Sequence, residues 1–173
     1  MKFEIKKITL KDAEKIRIWR NDQINVLRQD KVINKTEQRE YYQQNVFPQY
    51  ISKKPNLHLL GIHKHNKLIA YGGLVYINFL KSEAEVSFLV DSNISNDSDD
   101  YEEIFSFFLN IISKIAFEKF QLKLIYTETN DFRIKHITIL ENNSFIKKGI
   151  VKKGVVENGI TFNTILHTRN LGE

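Results

Sequence analysis

The stretch from Glu83 to Phe120 constrains the fold more than any other. Val86, Phe88 and Val90 alternate with Glu85, Ser87 and Leu89, the two-residue period of a β-strand. An acidic, glycine-free loop follows, Asp91-Ser-Asn-Ile-Ser-Asn-Asp-Ser-Asp-Asp100, and then an apolar run from Ile104 to Phe120. Ser106, Asn110, Ser113, Lys114 and Glu118 interrupt that run. It is too polar to span a bilayer and reads as a helix packed on a sheet. Glu85 is the position with chemical interest. A carboxylate on a mid-sheet strand is costly unless it is hydrogen-bonded or open to a cleft. The residues alone leave two readings open. Glu85 is either a general base in a cleft, or a carboxylate turned to water or paired with a Lys or Arg.

The rest of the chain supplies partners for this strand and helix. Lys2 to Ile8 alternates as a first strand. Thr9-Leu-Lys-Asp12 has the spacing of a capping box, and Ala13, Ile16, Ile18 and Trp19 then make an amphipathic helix. Thr36 is the expected N-cap of a second helix that ends near Phe47-Pro48. Pro55 breaks a loop, and Leu57–His63 and Leu68–Asn78 form a hairpin about a turn at His65-Asn-Lys67. With 83–91 they make an antiparallel meander. Leu122–Thr129 is a β-rich strand, and its place after the helix predicts a parallel, right-handed crossover. A short helix at Arg133–Asn143 and a last hairpin, 145–156 with 160–169 about Asn158-Gly159, complete the order β-α-α-β-β-β-α-β-α-β-β.

Composition narrows the function. The 173 residues are 42% hydrophobic and 12% aromatic, enough for one packed α/β domain over 1–173. The chain has no cysteine, which excludes a disulfide framework, a thiolate zinc site and a cysteine nucleophile, and fits the reducing cytoplasm. Met1-Lys-Phe-Glu-Ile reads like the start of a strand rather than of a signal peptide. The net charge of +5 is spread out, which suits an anionic small ligand. No Lys/Arg run is dense enough for a nucleic-acid arm, and Lys147-Lys148 and Lys152-Lys153 read as a solvated hairpin face. Only His63 and His65 stand close together among the histidines, with no sequence neighbour to complete a metal site, so no metal is expected.

Four stretches together resemble the GNAT superfamily of acyl-CoA-dependent N-acyltransferases. They are Ile18-Trp-Arg-Asn21 with Arg28, Ile69-Ala-Tyr-Gly-Gly-Leu-Val75, Glu83-Ala-Glu-Val-Ser-Phe-Leu-Val90, and Ile137-x-x-Leu140-Glu-Asn-Asn-Ser-Phe145-x-x-x-Gly149. The first looks like the branches that acetylate ribosomal-protein N-termini and nucleotide-linked amino sugars. The resemblance implies a V-shaped, mixed, mostly antiparallel sheet flanked by about four helices. It implies acetyl-CoA as co-substrate, without metal, and direct transfer to the primary amine of a small molecule, with no membrane partner. A protein N-terminus, or a catalytically silent binding module, is the alternative, and a homodimer is left open.

Carried over residue by residue, the resemblance makes Glu85 the general base; among the strand tyrosines Tyr71, Tyr76 and Tyr126, which the family motifs do not mark, Tyr126 is the best proton donor. The main chain of Phe88, Leu89 and Val90 would hold the pantetheine of the cofactor, and Arg133 would contribute to its phosphates. Arg20, Asn21 and Arg28 would wall the acceptor site. Two motifs depart from the family. At the late helix, Arg133 stands where the family usually has Asn, and Leu140 where it commonly has a Tyr general acid. The other is the phosphate loop. The family's usual Arg/Gln-x-x-Gly-x-Gly/Ala corresponds here to 91–103, which has no glycine and six carboxylates: Asp91, Asp97, Asp99, Asp100, Glu102 and Glu103. Those charges predict poor pyrophosphate binding unless cations such as Arg133 or Lys135 compensate.

Overall fold

The computed structural model describes residues 2–27, 29–157 and 159–172. The element order is the one expected: β1 (Glu4–Lys7), α1 (Leu10–Asp22), α2 (Lys35–Tyr41), β2 (His58–Lys64), β3 (Lys67–Asn78), β4 (Glu83–Val90), α3 (Asp99–Lys114), β5 (Leu124–Asn130), α4 (Ile134–Asn142), β6 (Ile146–Glu157) and β7 (Ile160–Asn170). The strands form one seven-stranded sheet in the order β1-β2-β3-β4-β5-β7-β6. The crossover pair β4–β5 is parallel, and the pairs β1–β2, β2–β3, β5–β7 and β6–β7 are antiparallel. The chain forms two compact units, Met1–Tyr76 with Ser87–Ile94, and Ile77–Val86 with Ser95–Glu173.

In the first unit, both helices start on reciprocal side-chain caps. Thr9 Oγ1 accepts from Asp12 N at 3.2 Å, and Asp12 Oδ2 accepts from Thr9 N at 3.0 Å, the capping box expected for α1. α2 starts earlier than expected. Its N-cap is Asn34, whose Oδ1 accepts from Glu37 N at 2.9 Å while Glu37 Oε2 accepts from Asn34 N at 3.0 Å. Three residues beyond Thr36 stands Arg39, which has no acceptor to return, so Asn34-x-x-Glu37 satisfies one more orphan N–H. α2 then passes into a π-helical turn, Tyr42–Val46, and a 3₁₀ turn, Phe47–Tyr50, that carries Pro48.

α1 turns Ala13, Ile16 and Trp19 inward at helical spacing, but Ile18 is 45% exposed, against expectation. The inner face joins Ile8, Tyr42, Val46, Leu59, Leu68, Tyr71 and Leu89 in one buried cluster. Each such side chain, fully buried, contributes about 1.5–3 kcal/mol. The β2–β3 hairpin closes on a tight two-residue turn, His65-Asn66, with φ of 51° and 60°, the left-handed pair that matches strand twist.

In the second unit, α3 repeats its apolar positions at helical spacing. Tyr101, Ile104, Phe105, Phe108, Leu109 and Ile112 are all buried. Ser98 caps it, its Oγ accepting from Tyr101 N at 3.1 Å, and Asp99, Asp100 and Glu102 in the first turn complement the helix dipole. A π-helical turn, Ile115–Lys119, ends it. Ile125, Leu140 and Phe145 add to the buried set. The last hairpin pairs Glu157 with Ile160, and Gly159 takes φ of 76°; the expected turn residue Asn158 lies outside the described residues.

Candidate active site

Glu85 lies at the end of a short ladder. β4 registers on β5 through three pairs, Glu83 with Leu124, Ala84 with Ile125 and Glu85 with Tyr126. Beyond Tyr126, β5 stays registered on β7 as far as Asn130 with Thr164. The two residues expected to carry the proton chemistry are therefore cross-strand partners. Glu85 is 4% exposed, so burial has put a carboxylate where water does not solvate it fully, and Tyr126 is half-buried.

The end of β4 is braced in the first unit. Phe88, Leu89 and Val90 bury their side chains, and Leu89 belongs to the apolar cluster there. Gln23 Nε2 donates to the Val90 carbonyl at 2.9 Å, and Asp91 N donates to the Ile69 carbonyl at 2.8 Å. The Val90 carbonyl already has a donor, so it is less available to a pantetheine than expected.

Arg20 and Asn21 come together through Gln29, a buried residue that the sequence did not single out. Arg20 Nε donates to Gln29 Oε1 at 2.9 Å, and Gln29 Nε2 donates to Asn21 Oδ1 at 3.1 Å. Asn21 Oδ1 also accepts from Ile33 N at 2.9 Å, and its Nδ2 donates to Ile33 O at 2.9 Å. Asn21 thus staples the loop that follows α1, while Arg20 keeps more of its donors. Its Nη1 donates to Tyr71 Oη at 3.2 Å. Tyr71, then Tyr42 and Tyr41, hold the guanidinium firmly charged against the cost of its burial. Among the described residues Arg20 has no carboxylate partner. Arg28, the third expected acceptor contact, lies outside the described residues.

The second unit holds a cluster centred on Tyr101. Its Oη lies 2.6 Å from His136 Nδ1, and Arg133 Nη2 donates to the same oxygen at 3.2 Å. His136 stacks on Phe105 with ring centroids 4.3 Å apart. Burial, and then the Arg133 charge, push the His136 pKa well below 6.5, so the ring is neutral and shares a hydrogen bond with the Tyr101 hydroxyl through Nδ1. Burial also raises the Tyr101 pKa, against the pull of Arg133, so the phenol keeps its proton.

Both effects bear on stability. A histidine that resists protonation when folded contributes stability that is present above pH 6.5 and is lost as the pH falls below it. The loss is expected to approach about 1.4 kcal/mol per pH unit per group. His167, buried on β7, is shifted in the same direction by burial. His136→Gln should flatten the fall of Tm between pH 6.5 and 5 expected of the parent protein; an unchanged slope would show that His136 does not titrate there.

Lys135 meets part of the acidic segment's charge. Lys135 Nζ lies 3.1 Å from Glu102 Oε2 and 3.6 Å from Asp99 Oδ1. Asp91 Oδ1 accepts from Asn93 N at 3.0 Å and Asn93 Nδ2 at 2.8 Å, a closed Asx turn. Lys135 is thus committed to carboxylates, and of the two expected compensating cations only Arg133 is left without one among the described residues.

The histidines are mostly interior. His58, His63, His136 and His167 are buried, and His65 is exposed. The fold brings Asp12 to 3.8 Å from His63, a neighbour the sequence did not supply, and Glu141 to 3.4 Å from His167. Among the described residues no group of three His, Cys, Asp or Glu could hold a metal ion, and no helix is long and apolar enough to cross a membrane. Sequence reasoning missed Tyr101, His136, Gln23 and Gln29. Tyr101 stands 32 and 35 residues from its partners, and no local pattern joins them.

Comparison with known proteins gives one family. Residues 5–166 match the acetyltransferase (GNAT) domain model, which runs through both compact units. No curated protein sequence matches the chain. Among solved structures, a spermidine N-acetyltransferase from Vibrio cholerae in complex with CoA and spermine is similar at 14% identity, over 98% of this chain and 95% of that one, with a TM-score of 0.82. A dodecameric form of the Vibrio cholerae enzyme gives 14% identity, 98% and 94% coverage and a TM-score of 0.78. A probable acetyltransferase gives 17% identity, 97% and 92% coverage and a TM-score of 0.75. At these identities the likeness establishes the shared fold.

Proposed function

The chain belongs to the GNAT acetyltransferase family, and from that premise we propose that it acetylates the primary amine of a small anionic molecule, such as a nucleotide-linked amino sugar. Acetyl-CoA is the family's acyl donor. The observation that carries the reading is Glu85, a buried carboxylate that ends the β4–β5 ladder opposite Tyr126.

The reaction needs no enzyme nucleophile. The amine lone pair attacks the thioester carbonyl carbon, and a C–N bond forms as the carbonyl π electrons move to oxygen. Glu85, directly or through one water, takes the proton that the nitrogen loses. Main-chain N–H near Phe88 is the proposed donor to the oxyanion. The tetrahedral intermediate then expels the thiolate as the C–S bond breaks, and Tyr126 gives that sulfur a proton.

Charge argues for the acceptor class. Arg20 is a charged guanidinium among Tyr41, Tyr42 and Tyr71, with no carboxylate partner among the described residues, and the chain carries a net +5. An anionic acceptor suits that surface better than the polycation named for the Vibrio cholerae enzyme. Arg20→Lys is expected to raise the acceptor KM roughly tenfold or more through loss of a charge-assisted fork, with CoA affinity unchanged and Tm lowered by the lost bonds to Gln29 and Tyr71. Equal loss of CoA affinity would assign Arg20 to the donor or the fold.

The proposal is tested by following CoA release from acetyl-CoA with a nucleotide amino sugar, spermidine and a peptide N-terminus as acceptors. Turnover of the amino sugar alone supports it. Preference for spermidine or the peptide overturns the acceptor class. Silence with every amine favours a binding module, the second reading, which the glycine-free acidic loop supports.

A further inference from the structure

We propose that Arg133, held in place by Tyr101 and His136, is the phosphate-binding cation for the acyl donor and replaces the glycine loop that this chain lacks. The proposal rests on acetyl-CoA as donor. It gives Tyr101 and His136 a role as positioning residues.

Three observations meet here, all within the second unit. Arg133 is the half-buried residue that leads into α4, and its partner is a neutral phenol rather than a carboxylate. A guanidinium withdrawn from water and paired with no anion among the described residues is poised for an anionic ligand. Secondly, two of the acids that would compete are engaged. Lys135 takes Asp99 and Glu102, which leaves their charge less able to capture Arg133 or repel a phosphate. Asp97 also acts on Tyr101, more weakly than Arg133 does, so it is the acid most able to oppose the site.

Thirdly, the support is rigid. Tyr101 is clamped by the Ser98 cap at its N–H and by His136 at its hydroxyl, and His136 is stacked on Phe105. The Tyr101 oxygen accepts from Arg133 Nη2, so a phenol lone pair faces the guanidinium. The guanidinium is oriented through one nitrogen, and its remaining donors serve the ligand. A preorganised arginine of this kind binds phosphate through side-chain N–H groups, where a glycine loop uses main-chain amides.

The test compares binding of CoA and of pantetheine, which lacks all the phosphates, to the parent protein and to Arg133→Gln, Arg133→Lys and Tyr101→Phe. Calorimetry at two salt concentrations is the readout. Arg133→Gln should weaken CoA binding roughly tenfold or more, leave pantetheine binding unchanged, and reduce the salt dependence of CoA binding. Arg133→Lys should restore part of the affinity. Tyr101→Phe, which keeps the ring and the charge, should weaken CoA alone. Equal losses for CoA and pantetheine, or no loss for either, would overturn the proposal. If the parent protein binds neither compound, the donor reading itself fails, which is a different result from a parent that binds both with Arg133 indifferent.

Discussion

Replacing Glu85 by Gln should lower kcat/KM by roughly 10²–10⁴-fold, the usual worth of a positioned general base, and leave CoA affinity unchanged. Gln has the same shape and can still hydrogen-bond, so the buried site keeps its packing while it loses the only function under test, proton acceptance. The amine is protonated at neutral pH and cannot attack in that form. Without a base, turnover depends on the small fraction of free amine and on water. The profile of kcat/KM against pH should therefore change shape, with the variant recovering activity at high pH, where the amine deprotonates unaided. A variant with near-parent activity and an unchanged pH profile would remove Glu85 from the chemistry and return it to the other reading the sequence allows, a carboxylate turned to water or paired with a Lys or Arg.

Gly73→Ala should cost about 3 kcal/mol of stability, the upper end of the usual overpacking range. Gly73 sits on β3 opposite Leu59 of β2. A Cβ there would collide with the His58 carbonyl oxygen and come within 2.8 Å of Leu59 Cα. Both are backbone atoms of a strand paired on its two sides, so relief would require moving β2 away from β1 or β3. Gly61 makes the contrast. Its added Cβ would meet Leu68 Cδ1 at 2.7 Å and His63 Cε1 at 3.0 Å, the ends of side chains that can rotate. Urea denaturation of Gly73→Ala and Gly61→Ala should separate the two. Equal costs would show that β2 and β3 yield more easily than their close approach suggests. A loss of this size is a large part of the 5–15 kcal/mol typical of a whole domain.

Much of the architecture was legible in the sequence because its signals are local. The alternation in Glu83–Val90, the helical spacing from Tyr101 to Ile112 and the reciprocal Thr9–Asp12 cap each act within a few residues, and each is present in the fold. The strand–helix–strand order similarly announced a parallel pair, since such a crossover returns the chain to the same sheet in the same direction. The misjudged details were also local, but decided by competition. Asn34 displaced Thr36 as the α2 cap because only Asn34 has a glutamate at the right distance to complete the box.

Tertiary structure decided which charges are available. Six carboxylates in 91–103 read as a repulsive wall, yet Lys135 engages two of them and Asp91 closes a turn on Asn93. Lys135 and Arg133 are near neighbours in sequence, but one is spent on carboxylates while the other rests on a phenol. Asn21, read as part of an acceptor wall, is a staple for the loop through Ile33, and Arg20 beside it stays among tyrosines. The sequence determines which ionisable groups exist and which elements carry them. Their partners come from segments tens of residues away, and a charge's effect on a ligand depends on the nearest opposite charge and on the water it has lost, both of which are set by packing.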